Sequence, residues 1–117
     1  MGTMLVALSE GVALAVASGL APTDLLAVID LGAIASPLTR MKGPGIAAGG
    51  PFPPAFPLKH QQKDLRLALA LGDEHGQALP LAAAANAAFI AAKAAGHGDS
   101  DFAAVSTVVG KPAAARG

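Results

Sequence analysis

The spacing of apolar and polar positions predicts that most of the chain is α-helical. Apolar residues recur at helical spacing up to residue 18, and Gly19 follows where glycine commonly ends a helix. Pro22 and the pair Ser36-Pro37 are typical of helix starts, because proline presets the first turn and serine caps it. The predicted helices cover residues 3–18, 22–32, 36–42, 58–76, 80–96 and 101–109.

A segment rich in glycine and proline separates the third and fourth predicted helices. Residues 43–57 hold four Gly and five Pro, beginning with Gly43 and Pro44, which we expect to break the third helix. Neither a helix nor a central strand is expected to run through so many prolines. Irregular loops of this length in compact domains usually line a site or are disordered. Because Phe52 and Phe56 are apolar, we expect this loop to dock on the helices.

The fourth predicted helix, residues 58–76, carries apolar residues on two sides. Its main apolar side is formed by Leu58, Gln62, Leu65, Leu69 and Gly72. Leu67 and Leu71 lie on the far side, and the arc between the two sides carries Lys59, Lys63 and Arg66. A helix that is apolar on two sides is typical of a central helix. We therefore expect neighbours on both sides, with the cations facing out through a gap.

Composition agrees with an all-α fold and excludes several classes of partner. Of the 117 residues, 53% are hydrophobic, mostly Ala, Leu and Val, with four Phe and no Tyr or Trp, which favours close helix packing. Eight basic and eight acidic residues cancel, so the attraction that draws proteins to nucleic acid or anionic lipid is missing, and no nucleic-acid partner is expected. Glu10 interrupts the apolar run of residues 3–21, which disfavours a membrane partner.

These observations predict one all-α domain, a bundle of five to six helices over residues 1–109, followed by a flexible tail at residues 110–117. Ser100 or Asp99 is expected to cap the last helix. The three histidines do not converge with acidic residues, so no metal site is predicted. Neither a secretory signal nor a transit peptide is visible, which leaves the compartment undetermined.

Several motifs occur in a fixed order along residues 1–105. The order is SEG, a GL turn, LLxxxDLGA, KGP, a Pro-rich loop, AFPLKHQQKD, ALGDE, AAAAN and GDxDF. In this order the chain resembles, almost position for position, the C-terminal domain of plant-type glyoxylate and succinic semialdehyde reductases. These are NADPH-dependent members of the 3-hydroxyisobutyrate dehydrogenase, or β-hydroxyacid dehydrogenase, family. The resemblance implies an all-α fold like the C-terminal domain of 6-phosphogluconate dehydrogenase-like proteins.

The resemblance also implies roles for three residues. In that family an N-terminal Rossmann domain binds NADPH, and the helical domain closes over the nicotinamide and supplies most of the substrate pocket. The family's Lys-Asp pair corresponds to Lys63, a cofactor contact, and Asp64, which faces the substrate, and the loop phenylalanine corresponds to Phe56, a wall of the pocket. From the residues alone, Lys63 could belong to a solvated face, Asp64 could be bonded to His60, and Phe56 could be a core residue.

The chain also departs from the family pattern. The family's catalytic lysine belongs to a Lys-x-x-x-Asn stretch before SEG, and no such stretch occurs in these 117 residues. Gly43, Gly45 and Ala48 match Gly-x-Gly-x-x-Ala, but no strand precedes them, so we regard the match as accidental. We therefore expect NADP to be bound mainly by a domain outside this chain, and the chain alone to be inactive.

Three function classes follow, in decreasing order of preference. The first is the helical domain of a reductase for glyoxylate or succinic semialdehyde, expected to be a homo-oligomer because helical domains of this family form the subunit interface. The alternative is a non-enzymatic helical module for dimerisation or interaction. The third is a membrane hairpin formed by residues 3–31.

Overall fold

The computed structural model describes residues 1–110, and they form helices joined by turns and one irregular loop. The five α-helices are α1 (Gly2–Ala17), α2 (Pro22–Asp30), α3 (Pro37–Ala48), α4 (Leu58–Glu74) and α5 (Pro80–Ala92). A π-helical turn (Lys93–His97) and a 3-10 helix (Phe102–Thr107) follow. The predicted all-α fold is confirmed. Of the predicted tail at residues 110–117, all but Gly110 lies outside the described residues.

Helix α1, and not α4, lies at the centre of the bundle. It contacts α2, α3, α4, α5 and the 3-10 helix, whereas α4 packs mainly on α5 and the 3-10 helix. The largest fully buried side chains are Phe89, Leu5, Leu58 and Val105. Burial of each such side chain stabilises the fold by about 1.5–3 kcal/mol, so the core rests on a few side chains from α1, α4, α5 and the 3-10 helix.

Helix α3 is longer than predicted, and this is a correction. The capping box between Ser36 and Thr39 starts the helix as expected, but the helix continues past Pro44 and ends at Gly49, which has a φ of 73°. Pro44 is tolerated because it lies on the exposed side, where water can reach the carbonyl that loses its hydrogen bond. Gly43 is a packing residue, since a Cβ there would stand 2.9 Å from Leu26 Cδ2. The irregular loop therefore covers residues 49–57.

The prediction that α4 has neighbours on both of its apolar sides is wrong for the described residues. Leu58, Gln61, Gln62, Leu65 and Gly72 are buried, which confirms the main side apart from Leu69, which is only partly buried. Leu67 and Leu71, on the far side, are each 57% exposed. No helix of residues 1–110 covers them, because α5 and the 3-10 helix both pack elsewhere on α4.

The C-terminal elements also differ from expectation. Helix α5 ends at Ala92, and the chain turns through a π-helical segment in which Gly96 has a φ of 97°. The last helix is a 3-10 helix capped by Asp101, whose side chain accepts a hydrogen bond from the Ala103 N–H. The predicted caps, Ser100 and Asp99, do not perform this role.

Helices α1 and α2, which would form the membrane hairpin considered above, are 16 and 9 residues long. No helix within residues 1–110 has both the length and the apolar character needed to cross a bilayer.

Candidate functional site

The loop of residues 49–57 runs beside the segment that leads into the 3-10 helix. The Asp101 N–H donates to the Phe52 carbonyl at 3.0 Å, and the Phe102 N–H donates to the Phe56 carbonyl at 2.9 Å. These two backbone hydrogen bonds attach both ends of the phenylalanine-bearing stretch to the same segment. The predicted docking of the loop is therefore confirmed.

The carboxylate of Asp101 collects donors from three parts of the chain. Its Oδ2 accepts from the Ala55 N–H and the Phe56 N–H, each at 3.1 Å, and from Lys42 Nζ at 2.9 Å. Its Oδ1 accepts from the Ala103 N–H at 3.1 Å. Only 4% of the Asp101 side chain and 11% of the Lys42 side chain are exposed. Burial raises the pKa of this carboxyl, but the backbone donors and the lysine outweigh burial and keep the pKa below 3.8.

The Phe56 ring is half-buried between the 3-10 helix and the first turn of α4. It meets the Phe102 ring edge-on, with centroids 5.6 Å apart, and the His60 ring at 6.2 Å. Lys42 Nζ lies 5.1 Å from the centroid of the Phe102 ring. Because one edge of Phe56 stays accessible beside α4, the ring is placed both to pack and to line a surface.

Lys63 and Asp64 lie one turn further along α4 than His60. Positions three and four residues apart in a helix share a side, so both residues stand on the side of α4 that Phe56 approaches through His60. Lys63 Nζ is 3.1 Å from Asp64 Oδ1, and the two side chains are 48% and 45% exposed. Within the described residues Asp64 pairs with Lys63 and forms no hydrogen bond with His60, so the alternative pairing is wrong.

Cavities of measurable size lie elsewhere in the bundle. One of about 480 Å³ is bounded by α1, α3 and the 3-10 helix, and an apolar one of about 410 Å³ lies beside α1 and α2. Phe56, Lys63 and Asp64 line neither of them. Lys63 and Asp64, with side chains 48% and 45% exposed, stand on the open surface of α4.

The chemistry of Lys63 on the exposed side of α4 suits one wall of a nucleotide site. Lys63 is a half-exposed cation whose partner is an equally accessible carboxylate, so it is free to reach a phosphate or carboxylate group of a ligand. Gly43, Gly45 and Ala48 lie inside α3 and not between a strand and a helix, which confirms that their match to the dinucleotide motif is accidental. No strand that could precede such a motif occurs in residues 1–110.

The family described as "NAD-binding of NADP-dependent 3-hydroxyisobutyrate dehydrogenase" matches residues 1–109. The chain belongs to this family. Its fold agrees with that assignment, because the crystal structure of a 3-hydroxyisobutyrate dehydrogenase from Salmonella typhimurium superposes with a TM-score of 0.85. That superposition covers 92% of this chain and 37% of the other, at 27% sequence identity.

Named relatives of this 3-hydroxyisobutyrate dehydrogenase family member include two from Arabidopsis thaliana. Glyoxylate/succinic semialdehyde reductase 1 is 56% identical over 90% of this chain, and its chloroplastic counterpart, reductase 2, is 47% identical over 90%. A cytokine-like nuclear factor N-PAC from Aedes aegypti is 44% identical over 89% of the chain. The chain spans 36%, 29% and 18% of these relatives' lengths, respectively. The predicted family resemblance is confirmed.

Sequence reasoning missed the pairing of Lys42 with Asp101. Both residues stand in motifs that carry the family resemblance, KGP and GDxDF. They are 59 positions apart, and nothing in either motif indicates that its charged residue pairs with the other. The available signal was the loop itself: a docked segment with few hydrogen bonds of its own needs an acceptor from elsewhere in the chain.

Proposed function

We propose that this chain is the substrate-side helical domain of an NADP-dependent reductase that converts glyoxylate or succinic semialdehyde to the hydroxyacid. One observation carries the proposal: the docked loop brings Phe56 to the side of α4 that bears Lys63 and Asp64. The identity of 56% with an Arabidopsis glyoxylate/succinic semialdehyde reductase supports the choice of substrate.

Each of the three residues has a role in this proposal. Lys63 offers its ammonium group to an anionic group of the cofactor, and Asp64 orients the substrate beside it through its remaining carboxylate oxygen. Phe56 forms an apolar wall that excludes water from the reacting carbonyl. The nicotinamide, when bound, supplies the hydride.

We further propose that a polypeptide limited to these 117 residues shows no turnover. Proton transfer to the carbonyl oxygen requires a donor within hydrogen-bond reach. Lys42 is committed to Asp101, and Lys63 is assigned to the cofactor. We therefore assign the proton donor and most of the nucleotide contacts to another part of the enzyme.

A chimaera tests the proposal directly. The matched 105-residue segment of Arabidopsis reductase 1 is replaced by the corresponding segment of this chain, and NADPH oxidation is followed with glyoxylate and with succinic semialdehyde. We expect turnover by the chimaera and none by the 117-residue chain. Phe56→Ala and Asp64→Asn should raise KM for the aldehyde, and Lys63→Met should raise KM for NADPH, each by about tenfold. A folded, NADPH-binding chimaera without turnover, or turnover by the chain alone, contradicts the proposal.

A second candidate is a non-enzymatic interaction module. It is favoured by the 44% identity with proteins named as nuclear factors and by the exposed apolar side of α4 that includes Leu67 and Leu71. Homo-oligomerisation through that side of α4 is compatible with both candidates. The chimaera separates them, because an interaction module has no reason to restore turnover.

A further inference from the structure

The loop of residues 49–57 has few hydrogen-bond donors with which to hold its own shape. Four of its nine residues are proline, which has no N–H group. The N–H groups of Gly49 and Gly50 donate back to α3. At the other end of the loop, Ala55 and Phe56 both donate to one oxygen atom, Asp101 Oδ2. Besides the two backbone hydrogen bonds that the Asp101 and Phe102 N–H groups donate to this segment, the carboxylate of Asp101 is the acceptor that holds its N–H groups at Ala55 and Phe56.

That carboxylate is itself fixed from two further directions. Lys42 donates to it from α3, and the Ala103 N–H donates to its Oδ1 at the start of the 3-10 helix, which the carboxylate caps. Three donors converge on Oδ2, and a fourth donates to Oδ1. Only the ionised carboxylate can accept from all four, because it carries no proton on either oxygen. Since the ion pair is almost fully buried, water offers no substitute acceptor for the loop.

We propose that Asp101, with Lys42 as its counter-ion, is a positioning residue that determines where the Phe56 ring stands against α4, and thereby shapes the substrate pocket. The proposal rests on the proposed function, because the pocket role of Phe56 does. Asp101 itself touches neither substrate nor cofactor. It acts on the reaction through the backbone of residues 55 and 56.

The carboxylate is essential to this role because an amide of the same shape cannot replace it. Asn at position 101 places either its oxygen or its NH2 group where Oδ2 now stands. With the NH2 group there, the Ala55 and Phe56 N–H groups lose their acceptor. With the oxygen there, they keep only a weaker, uncharged acceptor, the Ala103 N–H faces the NH2 group, and Lys42 stays buried without a counter-ion. In both cases the loop is held less tightly while the helices that surround it keep their cores.

The chain offers a matched control two residues earlier. Asp99 also pairs with a lysine, Lys59, but its side chain is 88% exposed and bonds to no loop N–H. Asp99→Asn and Asp101→Asn remove the same charge from the same segment. Any difference between the two variants reports the position of the carboxylate and not the loss of charge.

The first measurement uses the 117-residue chain and amide hydrogen exchange by NMR. We expect exchange at Ala55 and Phe56 to become at least about tenfold faster in Asp101→Asn, because hydrogen bonds to a charged acceptor are among the stronger ones. Exchange at both amides should be unchanged in Asp99→Asn. Unchanged exchange in a folded Asp101→Asn variant would overturn the proposal.

The second measurement uses the chimaera and separates positioning from general destabilisation. Asp101→Asn should raise KM for glyoxylate by about tenfold, leave kcat within about threefold, and leave KM for NADPH unchanged. A merely structural defect would lower the amount of active enzyme, and so the apparent kcat, at constant KM. Asp99→Asn should match the unmutated chimaera in all three constants. Equal behaviour of the two variants in an active chimaera would refute the role of Asp101.

Two further outcomes keep the inferences distinct. If Phe56→Ala leaves KM for the aldehyde unchanged, the proposed pocket fails, while faster exchange in Asp101→Asn still shows what holds the loop. If Asp101→Asn does not fold, Lys42→Met takes its place, since it retains the carboxylate and removes only its counter-ion. The same changes in exchange and KM are then expected at smaller size, and their absence would overturn the proposal.

Discussion

Asp99 and Asp101 stand two residues apart in the segment GDSDF, and each forms an ion pair with a lysine. The Asp99 side chain is 88% exposed and that of its partner Lys59 is 47% exposed. The Asp101 side chain is 4% exposed and that of Lys42 is 11% exposed. The two pairs have the same chemistry and lie in the same segment, but water surrounds one and protein surrounds the other.

The pKa of each aspartate is below the ordinary value, for different reasons. For Asp99 the direct hydrogen bond from Lys59 and the charge of Lys59 lower the pKa, and both act at a site exposed to solvent. For Asp101 burial raises the pKa, and four hydrogen bonds from the backbone and Lys42 overcome it. Solvent and salt weaken the first kind of stabilisation and leave the second almost intact. The contribution of an ion pair to the free energy of unfolding therefore depends on its burial and on the backbone groups that it contacts.

The largest effect is expected from Asp101→Ala. This change leaves the Lys42 ammonium buried without a counter-ion, and it removes the acceptor of the Ala55, Phe56 and Ala103 N–H groups. Breaking a buried pair by removing one partner costs about 3–5 kcal/mol. Urea unfolding of the 117-residue chain, with Asp99→Ala as the matched control, measures the loss. A loss below about 1 kcal/mol would mean that solvent reaches the pair after all.

A smaller effect is expected in the dependence of stability on pH. Because the folded state lowers the pKa of Asp101, its contribution is complete above the ordinary value and is lost as pH falls through the lowered one. The free energy of unfolding should fall as the pH decreases below about 4, more steeply in the unmutated chain than in Asp101→Asn. Measurement in about 0.5 M NaCl screens the exposed Asp99 pair. Parallel curves for the two proteins would contradict the assignment.

The order of the helices could be predicted from the sequence because their starts and ends are local features. Ser36 caps α3 with Pro37 in its first turn, as expected, and Gly19, which follows α1, has a positive φ. The middle of α3 could not be predicted in this way. Gly43 and Pro44 break most helices, but here Gly43 allows the close approach of Leu26 and Pro44 lies on the solvated side. The contact with α2 and the solvated position of Pro44 allow the helix to continue through these two residues until Gly49 ends it.

The site shows the same division between local and distant information. The positions of Phe56, Lys63 and Asp64 follow from one docked loop and one helix. The loop brings Phe56 to the side of α4 that bears Lys63 and Asp64. Their roles stay predictions. The contact between Lys42 and Asp101 joins residues 59 positions apart, and no periodic pattern in the chain connects them. The sequence does not distinguish Asp101 from Asp99 as the buried one either, since both are acidic residues of the segment GDSDF between two helices.

The smallest effect is expected from Asp99→Asn, and this prediction sharpens the comparison. An exposed pair gains little because water already solvates both groups, and the ordering of the Lys59 side chain offsets part of the attraction. The melting temperature of the 117-residue chain should change by less than about 1 °C, and that small change should vanish at high salt. A decrease close to that of Asp101→Ala would show that neither burial nor the loop hydrogen bonds decide the difference. The stabilising feature would then be the segment GDSDF as a whole.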